Sequence, residues 1–299
     1  MKAPSGSAYN QHKFTGILLS FLLSGAMTAS LNSLISHRFR GFSQYENTIA
    51  GLNAALDFGV KIVEFDIRVA RCGTPMIYHD EAALGKTGAQ HHLAHHKASA
   101  FKALGGNFAR MPTADALFEA IAAHPFKDTF LLIDIKDAGF EEAIHALVCL
   151  HRLQHRVSYV SWVPNVLYAM HDIAPEIPLC HSYWCQNPNR SIRAKHKVHT
   201  AKNGHVPRLD IPYIHGERSG WFVDGVLQGK LRDILIASKG SVCVPQNMVT
   251  REIVDNYHAD GLKVSTFSYV DWPHIIEHKE RFNIDQYFID DKRVFDEID

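Results

Sequence analysis

The sequence has no excess charge of either sign: 31 Lys and Arg stand against 31 Asp and Glu among 299 residues. Such a balance carries neither the basic footprint of a nucleic-acid binder nor an acidic solvating tail, so a small-molecule partner is expected and a nucleic acid is not. Cysteine is scarce and irregularly placed. The five, Cys72, Cys149, Cys180, Cys185 and Cys243, contain no C-x-x-C pair, which speaks against a zinc framework and against a dense disulfide scaffold. Cys180 and Cys185 are candidates for pairing in an oxidising compartment, and Cys149 reads as a small buried hydrophobe within a helical pattern. Neither G-x-G-x-x-G nor G-x-x-x-x-G-K-[ST] occurs, so no phosphate loop supports an open nucleotide-binding sheet.

Asp and Glu are absent from the first 45 residues. There Lys2 and Lys13 precede FTGILLSFLLSGAMTAS, whose basic start, apolar centre and small-residue end have the three-part form of a secretory signal. The apolar centre is short for a membrane span of about 20 residues. Residues 1–30 are therefore read as a signal peptide or, if uncleaved, as an N-terminal membrane anchor, and residues 31–299 as the folded domain. The expected location is outside the cytoplasm: periplasmic or secreted if the source is bacterial, and membrane-associated if the segment is kept.

With 46% apolar and 21% charged residues the remainder can bury a full α/β core. Eight β-like runs recur: NSLISHR, KIVEFDIRVA, TFLLIDIK, RVSYVSW, PLCHSYW, SVCVPQ, LKVSTFSY and IDQYFID. Helical patterns fill most gaps, as in NTIAGLNAALDFG, with its Asn/Thr start and Gly stop, and ADALFEAIAAH after Pro112-Thr113. Alternating strands and helices imply parallel pairing, and eight such units in about 250 residues predict a closed (β/α)8 barrel. Two connections are long, from His79 to Asp134 and from Gln186 to Gly240, and in a barrel they would build the mouth where substrate is selected. The second contains the basic stretch NRSIRAKHKVHTAK, read as a solvated surface segment. HHLAHH, at residues 91–96, is likewise read as a solvated loop rather than a metal site.

The chemistry is concentrated at strand ends. In KIVEFDIRVA, Glu64 and Asp66 share one face and Phe65 takes the other. If that face looks into the barrel, two adjacent carboxylates are costly unless a proton or a hard cation lies between them; the competing reading is a strand-end pair bound by Arg68. LLIDIKD brings Asp134 and, on the same face, Lys136. ISHRF supplies His37 and Arg38, and PMIYHDEAAL supplies His79. Two imidazoles beside an acid triad and two cations describe a site that holds a phosphate and moves protons at it.

The order His-Arg, Glu-x-Asp, His resembles the glycerophosphodiester phosphodiesterase family, phospholipase C-like phosphodiesterase barrels. HRFRGFSQYENT is similar to the family's His-Arg-Gly and Pro-Glu-Asn-Thr, VEFDIRVARCGTPMIYHDEAAL to its Glu-x-Asp strand, hairpin and His-Asp segment, and LLIDIKD to its Glu-x-Lys strand. The resemblance implies that Glu64, Asp66 and Asp134 bind one divalent cation, Mg2+ or Ca2+. It further implies that His37 and His79 are the acid/base pair and that Arg38 and Lys136 contact phosphate. The expected reaction is hydrolysis of a glycerophosphodiester to sn-glycerol 3-phosphate and an alcohol. The chain departs from the pattern at Phe39, Tyr45, Cys72, Phe267-Ser268 and Lys292, and has Asp134 where glutamate is usual, as in the related sphingomyelinase D enzymes. Two alternatives follow: a lysophospholipase D or sphingomyelinase D-like enzyme acting on a lysophospholipid, and a catalytically silent exported binding barrel.

Overall fold

The computed structural model describes residues 31–85, 87–105, 108–183, 226–246 and 248–298, together with the backbone of 199–201 and 221–223. The strands are β1 (Leu34–His37), β2 (Ile62–Val69), β3 (Pro75–Ile77), β4 (Ala82–Leu84), β5 (Gln90–His92), β6 (Phe130–Ile135), β7 (Val157–Ser161), β8 (Leu179–Ser182), β9 (His199–Ala201), β10 (Trp221–Val223), β11 (Ser241–Pro245), β12 (Lys263–Tyr269) and β13 (Gln286–Ile289). Eight of them, β1, β2, β6, β7, β8, β11, β12 and β13, pair in parallel around a closed ring, because β1 bonds to β2 on one side and to β13 on the other. These are the eight runs expected from sequence, and the architecture is a (β/α)8 barrel.

Local signals set the helices as read. In α1 (Ile49–Phe58), Thr48 caps the start by accepting from Gly51 N, and Gly59 ends it at φ 89°. In α3 (Ala114–Ala123), Thr113 accepts from Ala116 N. The first long connection contains more structure than one helix: the β4–β5 hairpin and the short helix α2 (Ala98–Ala103) precede α3. Most of the second long connection, including most of its basic stretch, lies outside the described residues, as do the leader and Cys185. Cys180 is a buried free thiol inside the barrel. Cys149 is only half-buried, because its helical position faces His145, whose Nε2 lies 3.3 Å from the sulfur. No helix among the described residues is long and apolar enough to cross a membrane.

Alternation along each strand divides the core in two. Outward residues such as Phe65, Ile67 and Tyr159 pack under the helices in the large core, with Phe65 centred 6.0 Å from Phe118. Inward residues Ile35, Ile62, Leu132, Val160, Cys180, Cys243 and Phe288 form an apolar floor within the barrel. Two residues further along the same strands, on the same face, come His37, Glu64, Asp134 and Asp290. The floor therefore closes the barrel below, and the polar layer opens at the C-terminal ends of the strands.

Candidate active site at the barrel mouth

Register assembles the acids. β2 and β6 pair so that Asp66 stands opposite Asp134, and β1 and β2 pair so that His37 stands opposite Glu64. Glu64, Asp66 and Asp134 are 2%, 0% and 7% exposed, and one oxygen from each lies within 4.8 Å of the others. Arg68, which also borders the cavity, donates through Nη1 to Asp137 at 2.7 Å in a buried ion pair.

Two cations reach the triad. Arg38 Nε lies 3.0 Å from Asp66 Oδ2, and Lys136 Nζ lies 3.0 Å from Asp66 Oδ1 while also bonding Asp134. Asn47 Nδ2 donates to Asp66 Oδ2 at 2.9 Å. Burial pushes Asp66 upward, but Arg38 and Lys136 outweigh it and hold the carboxyl well below the usual range. The other two acids respond oppositely. Burial, with Asp66 beside it, raises Glu64 well above the ordinary carboxylate value, and burial also raises Asp134 despite Lys136. Glu64 Oε2 and Asp134 Oδ1 are buried without a hydrogen-bond partner. Unpaired carboxylate oxygens on the two acids that resist ionisation are what a hard, oxygen-preferring cation would satisfy, so these residues fit a divalent ion.

His37 is held from the last strand. Its Nδ1 is 2.6 Å from Asp290 Oδ1, while Asp290 Oδ2 accepts from Arg40 Nη1 at 2.8 Å and Ser268 Oγ at 2.6 Å. Burial raises Asp290, but the bonds from His37, Ser268 and Arg40 override it and keep the carboxylate ionised. Nδ1–H therefore donates to Asp290, and Nε2 is left as the lone-pair nitrogen, 3.8 Å from Glu64 Oε2. His79 follows β3, the antiparallel partner of β2. Arg68 Nε donates to the His79 carbonyl at 2.9 Å, and Asp137 in turn accepts from Val69 N at 2.8 Å, so the buried pair fixes the backbone of His79. Burial lowers both imidazoles, His79 to about 4, so both are neutral near pH 7 in the free protein.

His37, Arg38, Glu64, His79, Asp134 and Lys136 line one cavity of about 330 Å³, with Asp66 behind them; Val160, Trp162, Tyr183, Phe267 and Phe288 form its apolar wall. The arrangement offers anion-binding cations, carboxylates for a cation and two proton-transfer groups on one small volume. All seven residues expected from sequence meet here. Asp290, Arg40, Asn47 and the Arg68–Asp137 pair were not assigned from sequence. For Asp290 a signal existed, an acid ending an apolar strand two residues after inward Phe288; for Arg68–Asp137 the partners are 69 residues apart and no spacing points to them.

The sequence model of the glycerophosphoryl diester phosphodiesterase family matches residues 35–292. A glycerophosphodiester phosphodiesterase of Caldanaerobacter subterraneus subsp. tengcongensis is 27% identical over 165 residues, covering 51% of this chain and 67% of that protein. Among solved structures, a glycerophosphodiester phosphodiesterase of Parabacteroides distasonis superposes with a TM-score of 0.59 at 16% identity, over 86% of this chain and 92% of that one. A phosphodiesterase of Oleispira antarctica, solved with the product sn-glycerol-3-phosphate, gives a TM-score of 0.59 at 18% identity, over 88% and 95%. At such identities the two structures speak for the fold.

Proposed function

Because the chain belongs to the glycerophosphoryl diester phosphodiesterase family, a family of phosphodiester hydrolases, we propose that its barrel mouth hydrolyses glycerophosphodiesters to sn-glycerol 3-phosphate and an alcohol. The observation that carries this reading is the convergence of three buried acids, two cations and two neutral imidazoles on one cavity. Glu64, Asp66 and Asp134 would hold one divalent cation, Mg2+ or Ca2+, which when bound supplies positive charge to a phosphoryl oxygen.

The remaining steps belong to the chain's own groups. Arg38, kept charged chiefly by Asp66, and Lys136, kept charged by Asp134 and then Asp66, bind the phosphodiester oxygens and offset the charge that grows on them in the transition state. One imidazole takes a proton from the nucleophile, either water or the substrate's own neighbouring hydroxyl, and the other returns a proton to the leaving alkoxide; in the second case water then opens the cyclic phosphate to sn-glycerol 3-phosphate. His37 is built for the first task, since Asp290 holds its Nδ1–H and leaves Nε2 free to accept. His79 is neutral in the free protein, and an anionic phosphodiester beside it favours its protonated form, which is the donor.

The apolar wall of the cavity favours a second reading, in which Trp162, Phe267 and Phe288 hold the acyl chain of a lysophospholipid. A panel of glycerophosphodiesters and lysophospholipids, assayed with chelator and then with Mg2+ or Ca2+ added back, tests both. Turnover of glycerophosphocholine restored by the cation supports the first reading; turnover of lysophosphatidylcholine alone selects the second, and no turnover of any member leaves the silent binding barrel. Glu64→Ala should lose activity and bound cation together, and an active variant that binds no cation would remove Glu64 from the site. Export rests on the composition of residues 1–30, and fractionation of the cells that make the protein tests it.

A further inference from the structure

The catalytic reading leaves out the four histidines of HHLAHH, which the structure sets in a strand and a 3-10 turn around the buried Leu93. We propose that this segment is a transition-metal site, in which His91 with His96 and His92 with His95 each clamp one borderline ion of the Zn2+, Ni2+ or Cu2+ class.

Its backbone is pinned on both sides. β5 pairs antiparallel with β4, setting His91 opposite Ala83 and His92 opposite Ala82. Leu93 is buried in a small cluster with Ala70, Met76, Ala83, Phe101 and Met111. Leu93 N donates to Glu81 O at 3.0 Å, and Arg71 N donates to Leu93 O at 3.2 Å and to His96 O at 2.9 Å. On this frame strand alternation sends His91 and His92 to opposite faces, and the turn after Leu93 returns His96 to the first and His95 to the second. The ring centroids are 5.4 Å apart in the His91–His96 pair and 5.2 Å apart in the His92–His95 pair, with planes inclined at 54° and 45°.

Those separations suit a shared ion. A metal–imidazole bond of about 2.0–2.1 Å puts the ring centre roughly 3.2 Å from the metal, so two imidazoles on one tetrahedral ion have centres roughly 5.2 Å apart. The two rings of the His91–His96 pair each have a further neighbour. The Nε2–Cδ2 edge of His91 lies against Gly85, where a Cβ would stand 2.8 Å from Nε2, leaving Nδ1 as the ligating nitrogen. His96 meets Phe101 edge-on at 6.0 Å. Among the described residues the one group of three or more convergent ligands is Glu64, Asp66 and Asp134, so each clamp supplies two nitrogens and leaves its other positions to water. Imidazole selects borderline ions over Mg2+ and Ca2+, which separates the clamps chemically from the carboxylates.

The test is calorimetric titration of the untagged full chain with Ni2+ in a large excess of Mg2+, followed by electron paramagnetic resonance of the Cu2+ form. We expect His91→Ala/His96→Ala to remove one equivalent, His92→Ala/His95→Ala another and the four-alanine variant both, while Glu64→Gln keeps both. Gly85→Ala, which pushes against His91, should weaken the His91–His96 equivalent alone, and the Cu2+ spectrum should show coupling to two nitrogens per ion. Circular dichroism checks that the variants are folded. The proposal is overturned if the parent binds no Ni2+, if the four-alanine variant binds as much as the parent, or if the equivalents disappear with Glu64→Gln.

Discussion

Replacing Asp290 with asparagine tests whether the last strand sets the chemistry of the first. The Asp290 carboxylate accepts from His37, Arg40 and Ser268 at 2.6, 2.8 and 2.6 Å. An amide has one oxygen, which can take the Arg40 and Ser268 bonds, and an NH2 that must then face His37 Nδ1. Nδ1 is forced to accept, its proton moves to Nε2, and the nitrogen facing the cavity loses its lone pair. Removal of a positioned general base lowers turnover by a factor of about 10²–10⁴, or about 3–5 kcal/mol of barrier. The fold should survive, because the variant keeps the side-chain volume and the Arg40 bond. Asp290→Ala separates tautomer from position: it leaves Nδ1 free to keep its proton and should retain more activity than Asp290→Asn. The assay is kcat on glycerophosphocholine near pH 7, with far-ultraviolet dichroism to establish folding. A folded Asp290→Asn enzyme with parental kcat would refute the assignment of Nε2 as the accepting nitrogen.

Three further perturbations have defined outcomes. Arg68→Lys cannot bond both Asp137 and the His79 carbonyl, so displacement of His79 should lower kcat on the order of 10- to 100-fold with little change in KM; an equal change in KM alone would contradict it. Phe39 is fully buried at φ 60°, a conformation that favours glycine. Phe39→Ala should cost about 3–5 kcal/mol in urea unfolding, while Phe39→Gly regains about 1 kcal/mol of that by relieving the left-handed strain; a glycine variant less stable than the alanine variant would contradict this. His181 is fully buried on β8, and burial lowers its pKa from 6.5 to about 3. Above pH 6.5 it is neutral in both the folded and the unfolded chain, and between 6.5 and 3 only the unfolded chain takes the proton. Stability should therefore fall on acidification by up to about 1.4 kcal/mol per pH unit from this group. His181→Leu should show a shallower acid slope, and an unchanged slope would exclude His181 as a source.

Sequence carried the barrel further than the details of its mouth. Period-two apolar runs identify strands because the alternation is local, and the caps at Thr48, Gly59 and Thr113 are local as well. Seven site residues were legible for the same reason: each sits at or near the end of a recognisable run, and parallel pairing aligns those ends. What stayed hidden was pairing over distance. Arg68 looked like a surface partner for Glu64 or Asp66, but Asp137, 69 residues on, claims it. In HHLAHH, composition does not reveal that buried Leu93 anchors the centre of the segment.

The contact between His37 and Asp290 spans 253 residues. Bringing such distant positions together in a flexible chain costs about 5 kcal/mol of closure entropy, which the completed ring of strands must already have supplied. During synthesis β1 emerges well before β13, and until both are out the barrel has two open edges and His37 has no Asp290 beside it. On the proposed mechanism, a chain cut before Asp290 would therefore lack hydrolytic competence. On that mechanism, activity would report that the first and last strands of the barrel have met.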